Sequence, residues 1–273
     1  MTFKGYPYSS ARIGSDFTFA MMWHTSPARK LDVTKLDDVI LAVNNAYRDM
    51  MPRTISGIGL SKLNEIPNKT VPKSCKDALR DSKSKLLNDL RMELAKNIIE
   101  NVFNAHGGLG EFNDLIHEKL CDDFIKDFQL KSAYLNKEID RFNLTHSQSV
   151  SHIDVSKITY GKAQKIVNMT MKQLYCFDNA HTYRSSVFQY CHIPIDSVIL
   201  EFFDLNASYV WSNLDKSKYT DVQKKCRRLW KDKVDKAGLS PADDMRHIFF
   251  AEFVIWDAKN RLKETIKTME IFP

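Results

Sequence analysis

Lys162 and Asp196 are the residues of this chain whose types and positions most favour chemistry. Lys162 follows a glycine at the start of a helical pattern, and Asp196 follows a Pro-Ile pair at the start of an apolar run. An amine at the rim of a pocket can lose its proton by desolvation and act as a nucleophile. A carboxylate in a cleft can stabilise a cationic sugar or hold an attacking water. The same residues equally suit structural roles, a solvated lysine and an acid that caps a helix.

The helical pattern over residues 160–176 combines an apolar face with a neighbouring basic face. At about 100° per residue its alanine, isoleucine, valine and leucine positions share one side, and three lysines lie together beside that side. These lysines would contact phosphate if the partner is DNA, and otherwise they form a solvated face. They are Lys162, Lys165 and Lys172.

Residues 218–236 form the most strongly basic segment of the chain. Its apolar residues recur at helical spacing, so one face of this helix is expected to be buried. The remaining positions are mostly basic, which suits a surface that follows a phosphate backbone, although a solvated amphipathic helix is the alternative. The basic candidates for DNA contact are Lys224, Lys225, Arg227, Arg228 and Lys231.

Composition and periodicity predict an all-α fold. The chain has 273 residues, of which 43% are hydrophobic and 27% charged, with only 9 glycines and 8 prolines. That balance is typical of a globular helical protein. We predict one multi-helix domain over residues 1–273, with residues 1–72 as a separate amino-terminal lobe in an alternative division. The predicted helices cover residues 34–51, 74–106, 111–142, 160–176, 196–206, 218–236 and 241–264.

The cysteines and the hydropathy of the chain indicate its cellular compartment, and the spacing of cysteines and histidines bears on metal binding. Five cysteines, an odd number without a CxxC pair, indicate no disulfide framework and favour a reducing cytoplasm. No run of eighteen apolar residues occurs, so no membrane partner is predicted. The spacing of Cys176, His181, Cys191 and His192 is not a usual zinc pattern. We therefore expect a cytoplasmic monomer without a metal or cofactor.

Residues 156–205 resemble the helix-hairpin-helix DNA glycosylase superfamily, nearest to its archaeal 8-oxoguanine branch. The stretch reads Gly-Lys at a helix start, then KAQKIVNMTMK, then an apolar-Pro-Ile-Asp segment that opens the next helix. The resemblance implies that Lys162 matches the lysine of bifunctional members and that Asp196 matches the catalytic aspartate. It also implies a two-lobed helical architecture. A second glycine pair, Gly57 and Gly59, suits either a phosphate-binding hairpin or a tight loop.

The resemblance implies a DNA glycosylase that cuts the N-glycosidic bond of a damaged or modified base. Such an enzyme would serve repair or defence against DNA with modified bases, and it would add lyase activity if Lys162 attacks the sugar. Tyr160, Gln164 and Trp211 are the candidates for the base pocket, and Gly161 for contact with the DNA backbone. Two alternatives stay open, a non-enzymatic helical nucleic-acid-binding protein and a helical protein-interaction module.

Overall fold

The computed structural model describes residues 31–54, 60–104, 110–177, 187–238, 246–256 and 258–259. Side chains of residues 49–54, 61 and 62 are not part of this description. The loop with Gly57 and Gly59, His181 and the predicted helix start near residue 241 lie outside these ranges.

The regular structure of the described residues is helical, which confirms the predicted all-α class. No sheet forms within the described ranges, and Leu31 makes one backbone hydrogen bond to the carbonyl of Phe177 at 2.7 Å. No helix in the described part of the chain is long and apolar enough to cross a membrane. The helices are α1 (Leu36–Thr54), α2 (Lys73–Ile98), α3 (Asp114–His146), α4 (Tyr160–Phe177), α5 (Ser197–Phe202), α6 (Lys216–Lys236) and α7 (residues 248–256).

Helix α5 ends four residues before its predicted end, because the chain closes it with a Schellman motif. Asp204 takes the left-handed conformation with φ of 56°. The backbone N–H of Asp204 donates to the carbonyl of Glu201 at 3.1 Å, and that of Leu205 donates to the carbonyl of Leu200 at 2.8 Å. This pair of bonds satisfies carbonyls at the end of a helix. An aspartate at the left-handed position is not a strong stop signal, so the sequence pattern predicted a helix that extends beyond its true end.

Helix α4 lies at the centre of the molecule. It packs against α1, α3 and α6, and every one of its residues is buried except Lys162 and Lys165. The predicted basic face of α4 is therefore not a solvated surface, and Lys172 lies in the interior. One hydrophobic core runs through the described residues from Leu31 to Ile255. Helix α1 contributes Val39, Ala42 and Val43 to that core.

Candidate functional site

Asp196 begins α5 and uses both of its carboxylate oxygens. Its Oδ1 accepts a hydrogen bond from the backbone N–H of Ile199 at 2.9 Å, which is the geometry of a helix N-cap. Its Oδ2 accepts from Lys165 Nζ at 2.7 Å. The side chains of this pair are only 11% and 12% exposed. The oxygen that is not used for capping is therefore closed off by Lys165.

The environment of Asp196 keeps its carboxylate ionised. Burial acts to raise the pKa of Asp196, but the Lys165 ammonium and the hydrogen bonds from Lys165 and Ile199 outweigh it. The pKa of Asp196 consequently lies below its ordinary value. The pair is thus a carboxylate and an ammonium held together in a largely dry site.

Lys162 lies one turn before Lys165 on α4, and it makes a different contact. Its Nζ donates to the backbone carbonyl of Lys157 at 2.6 Å. Burial, together with the positive charge of Lys157, lowers the pKa of Lys162. Lys165, rather than Lys162, is therefore the lysine that the structure brings to Asp196.

Gly161 serves a close contact between α4 and the short helical turn Trp211–Asn213. A Cβ built on Gly161 would lie 1.9 Å from the carbonyl oxygen of Trp211. The backbone N–H of Gly161 donates to the carbonyl of Leu214 at 2.9 Å. The glycine is required for this approach, and its amide is already used inside the protein rather than offered to a phosphate.

The three residues predicted for the base pocket serve internal packing. Gln164 is fully buried, and its side-chain amide bonds the backbone N–H and carbonyl of Ile195 as well as the carbonyl of Gly161. Tyr160 is buried, with its ring 5.3 Å from that of Tyr219. Trp211 is half-buried and packs against the hydrophobic core. Gln164 thereby ties the start of α4 to the segment that precedes Asp196.

Lys172 pairs with Glu252 of α7 inside the protein. The Nζ and Oε1 atoms lie 2.7 Å apart, and the side chains are 3% and 0% exposed. Burial raises the pKa of Glu252, and the positive charges of Lys172 and Lys165 oppose that rise. This geometry does not present Lys172 to a phosphate, contrary to its predicted role as a DNA contact. The helical spacing of Lys172 did not indicate that its partner is a carboxylate 80 residues further along the chain.

Among the residues predicted to contact DNA, those that are exposed in the structure lie on α6. Lys224 and Arg228 are exposed, and neither forms an ion pair within the described residues. Lys225 instead pairs with Asp221 at 2.7 Å, and Lys231 pairs with Asp235 at 3.2 Å. Asp215 is the N-cap of this helix, and its side chain accepts from the backbone N–H of Lys218 in the first turn.

A groove of about 760 Å³ lies between the start of α3 and one side of α6. Asp114 on its wall is fixed by three hydrogen bonds. Its Oδ1 accepts from His192 Nε2 and from Arg227 Nη2, each at 2.8 Å, and its Oδ2 accepts from Arg227 Nη1 at 3.2 Å. These bonds hold the pKa of Asp114 well below its ordinary value. Other polar side chains of the lining are Asn113, Gln189, Tyr190, Lys231, Arg246 and His247.

A buried hydrogen-bond network behind the groove fixes the orientation of Asp114. The hydroxyl oxygen of Tyr219 accepts from the side-chain amides of Asn168 and Gln223, at 3.1 and 3.0 Å. The same oxygen lies 2.8 Å from His192 Nδ1 and 3.2 Å from His117 Nε2. Because the Asp114 carboxylate can only accept, the neutral His192 ring accepts the Tyr219 hydroxyl proton at Nδ1. His192 then carries its own proton on Nε2, facing the Asp114 carboxylate. Burial lowers the pKa of His192 against the effect of Asp114, and the ring is neutral.

The positions of these residues along the chain did not predict this network. His192 serves as a hydrogen-bonded histidine rather than a metal ligand, because both of its ring nitrogens are engaged by Asp114 and Tyr219. His117 stacks on His192 with ring centroids 4.0 Å apart. The spacing of these residues along the chain is irregular, so only the packing of α3 and α6 around the 187–193 segment brings them together.

Comparisons with protein-family models, with curated proteins and with solved structures give no match to this chain. Its function is therefore inferred from the charges and geometry of the described residues.

Proposed function

We propose that the chain binds DNA through the exposed face of α6. The observation that carries the proposal is the pair Lys224 and Arg228, which lie one turn apart, are exposed, and form no ion pair within 4 Å in the described ranges. Like charges at this spacing repel and destabilise a helix by about 0.2–0.5 kcal/mol. An anionic polymer that lies along the helix would turn this repulsion into attraction.

The charge balance of the whole chain also supports a polyanionic partner. The formal net charge is +6 at neutral pH. Lys231 extends the exposed basic face by one turn beyond Arg228, although Asp235 partly neutralises it. Such a surface contacts phosphates and reads no base sequence. Binding is accordingly expected to be weak and non-specific, with a Kd of roughly 10⁻⁴ to 10⁻⁶ M at physiological salt.

Removing the charges of Lys224 and Arg228 tests the proposal, and a matched pair of residues on another helix serves as the control. Lys137 and Arg141 are also exposed, have the same types and spacing, and lie on α3. The variant Lys224→Gln/Arg228→Gln should weaken the binding of a fluorescent DNA duplex several-fold, while Lys137→Gln/Arg141→Gln should leave it nearly unchanged. Equal effects of the two variants would mean that overall charge, and not α6, determines binding.

A DNA glycosylase remains the second candidate, and the Lys165–Asp196 pair favours it. An ionised carboxylate held beside an ammonium at the start of a helix could stabilise a cationic sugar if DNA binding displaced Lys165 from Oδ2. The decisive assay is abasic-site formation on duplexes with varied base modifications. Asp196→Asn should lower base release by roughly 10²-fold or more, since a single preorganised group commonly contributes that much. Unchanged release in this variant would move the catalytic role elsewhere.

Covalent trapping with borohydride distinguishes the two lysines. A lysine that attacks the sugar forms a reducible covalent complex with DNA. Loss of this complex in Lys162→Ala alone would support the role implied by the family resemblance, whereas loss in Lys165→Ala alone would assign it to the lysine that lies beside Asp196. A monofunctional enzyme would form no trapped complex at all.

A further inference from the structure

We infer that the groove between the start of α3 and α6 binds a single unstacked nucleotide, with its base on Tyr190 and its phosphate among Arg227, Lys231 and Arg246. This inference deepens the proposed DNA binding and rests on it for the source of the nucleotide. Neither Lys165 nor Asp196 lines the groove. The site is therefore distinct from the residues that the glycosylase resemblance singles out.

The size and position of the groove suit one nucleotide of a bound strand. Its volume of about 760 Å³ falls within the range of small-molecule sites, roughly 300–1,000 Å³. Lys231 belongs both to the lining and to the exposed face of α6, three residues after Arg228. A strand held on the α6 face thus passes the opening of the groove.

Three cations of the groove lie beside carboxylates, and they differ in how accessible they are to a phosphate. Arg227 is paired with Asp114, and the carboxylate of Asp235 accepts from both Lys231 and Arg246. Lys231 is the most accessible of these three cations, because its side chain is 73% exposed. The side chain of Asp235 is 42% exposed, and such exposed ion pairs are weak. A phosphate can therefore replace Asp235 as the partner of Lys231 at little cost.

An exposed aromatic ring provides the surface for a base. Tyr190 lines the groove, and it is 54% exposed although it is a large aromatic residue. The His247 ring lies edge-on to it with centroids 6.4 Å apart, so the tyrosine is supported on one side. Aromatic rings stack with any base and contribute to single-strand binding without sequence preference. A free inorganic phosphate would use the cations but not this ring.

The fixed carboxylate of Asp114 gives the groove a defined shape. The Tyr219–His192 network and Arg227 hold it in one orientation, so Arg227 is itself held in place at the wall. Preorganised groups of this kind lower the cost of ordering the site when a ligand binds. Arg227 thus stands on a framework that does not have to be assembled by the nucleotide.

Titration of the full chain with three probes tests the inference. The probes are 2′-deoxyadenosine 5′-monophosphate, inorganic phosphate and 2′-deoxyadenosine, and binding is followed by calorimetry or NMR. We expect the monophosphate to bind at least tenfold more tightly than either of the other two. Tyr190→Leu should weaken the monophosphate by about tenfold, as loss of one stacked base typically does, and leave inorganic phosphate unchanged.

The matched control is Tyr134→Leu, which removes a tyrosine that is 63% exposed on α3 and does not line the groove. This variant should bind the monophosphate as the unaltered chain does. Equal affinities for monophosphate and inorganic phosphate, or equal effects of the two tyrosine variants, would overturn the inference.

Binding of a single-stranded oligonucleotide separates this inference from the proposed function. If the oligonucleotide binds through Lys224 and Arg228 but the monophosphate neither binds nor competes with it, the groove inference is wrong and DNA binding stands. If the monophosphate binds in a Tyr190-dependent manner but no oligonucleotide or duplex binds, the groove inference stands as a nucleotide site and the proposed DNA binding is wrong.

Discussion

Lys165 Nζ lies 2.7 Å from Asp196 Oδ2 and joins the middle of α4 to the start of α5. The carboxylate that caps α5 is thereby neutralised by a lysine 31 residues earlier in the chain. Gln164, the residue before this lysine, bonds the backbone of Ile195, the residue before this aspartate. Two consecutive side chains of α4 thus position the segment that leads into α5, and Asp196 stabilises the fold whether or not it also acts on a substrate.

Replacing Asp196 with asparagine should destabilise the protein in a pH-dependent manner. Asparagine caps helices well, so the loss comes mainly from the bond to Lys165 and is expected to be about 1.5–3 kcal/mol at pH 7. The pKa of Asp196 is lowered in the folded state, so its contribution is complete above the unfolded value of about 3.9 and is lost as the pH falls through the folded pKa. Urea unfolding at pH 7 and at pH 3 should therefore show a smaller difference between variant and unaltered chain at pH 3. A difference that grows on acidification would contradict this account.

The buried pair of Lys172 and Glu252 should behave as a structural unit. Lys172→Met leaves the Glu252 carboxyl without its cation and should cost about 3–5 kcal/mol in the free energy of unfolding. The double variant Lys172→Met/Glu252→Leu should recover most of that loss, because no unpaired charge remains. Urea denaturation of both variants measures this. A stable Lys172→Met protein with weakened DNA affinity would instead support the role that the sequence pattern predicted for Lys172.

Gly161→Ala should destabilise the protein although alanine favours helices. The added Cβ would lie 1.9 Å from the Trp211 carbonyl oxygen, which is backbone and cannot rotate away. Overpacking of this kind costs about 1–3 kcal/mol or more, against a gain of about 1 kcal/mol in helix propensity. The control is Gly238→Ala, where φ is +70° but no atom lies within 4 Å of the new Cβ, so only the backbone strain of about 1–2 kcal/mol is expected. A thermal or urea midpoint that rises in Gly161→Ala would mean that α4 does not approach Trp211 so closely.

The sequence predicted the helical class and most helix positions because periodicity and capping are local properties. Asp196 is an example, since an acid before an apolar run is typical of an N-cap and the structure gives it that role. The end of α5 was missed because Asp204, rather than glycine, takes the left-handed turn.

The candidate site was less predictable because its contacts join distant parts of the chain. Lys162, Lys165 and Lys172 look equivalent on a helical projection, yet they contact a local carbonyl, the α5 cap and a buried glutamate of α7 respectively. Helical spacing shows which residues share a side of α4. It does not show that the start of α5 and α7 lie against that side, where Asp196 and Glu252 pair with Lys165 and Lys172.

The salt dependence of duplex binding tests the central proposal most directly. Each phosphate contact contributes about 0.9 to the slope of log Kobs against log salt concentration. Removal of two contacts in Lys224→Gln/Arg228→Gln should therefore reduce the magnitude of the slope by about 1.8, and Lys137→Gln/Arg141→Gln should leave the slope unchanged. A slope that is the same in the unaltered chain and in the Lys224→Gln/Arg228→Gln variant would contradict DNA binding by the exposed face of α6.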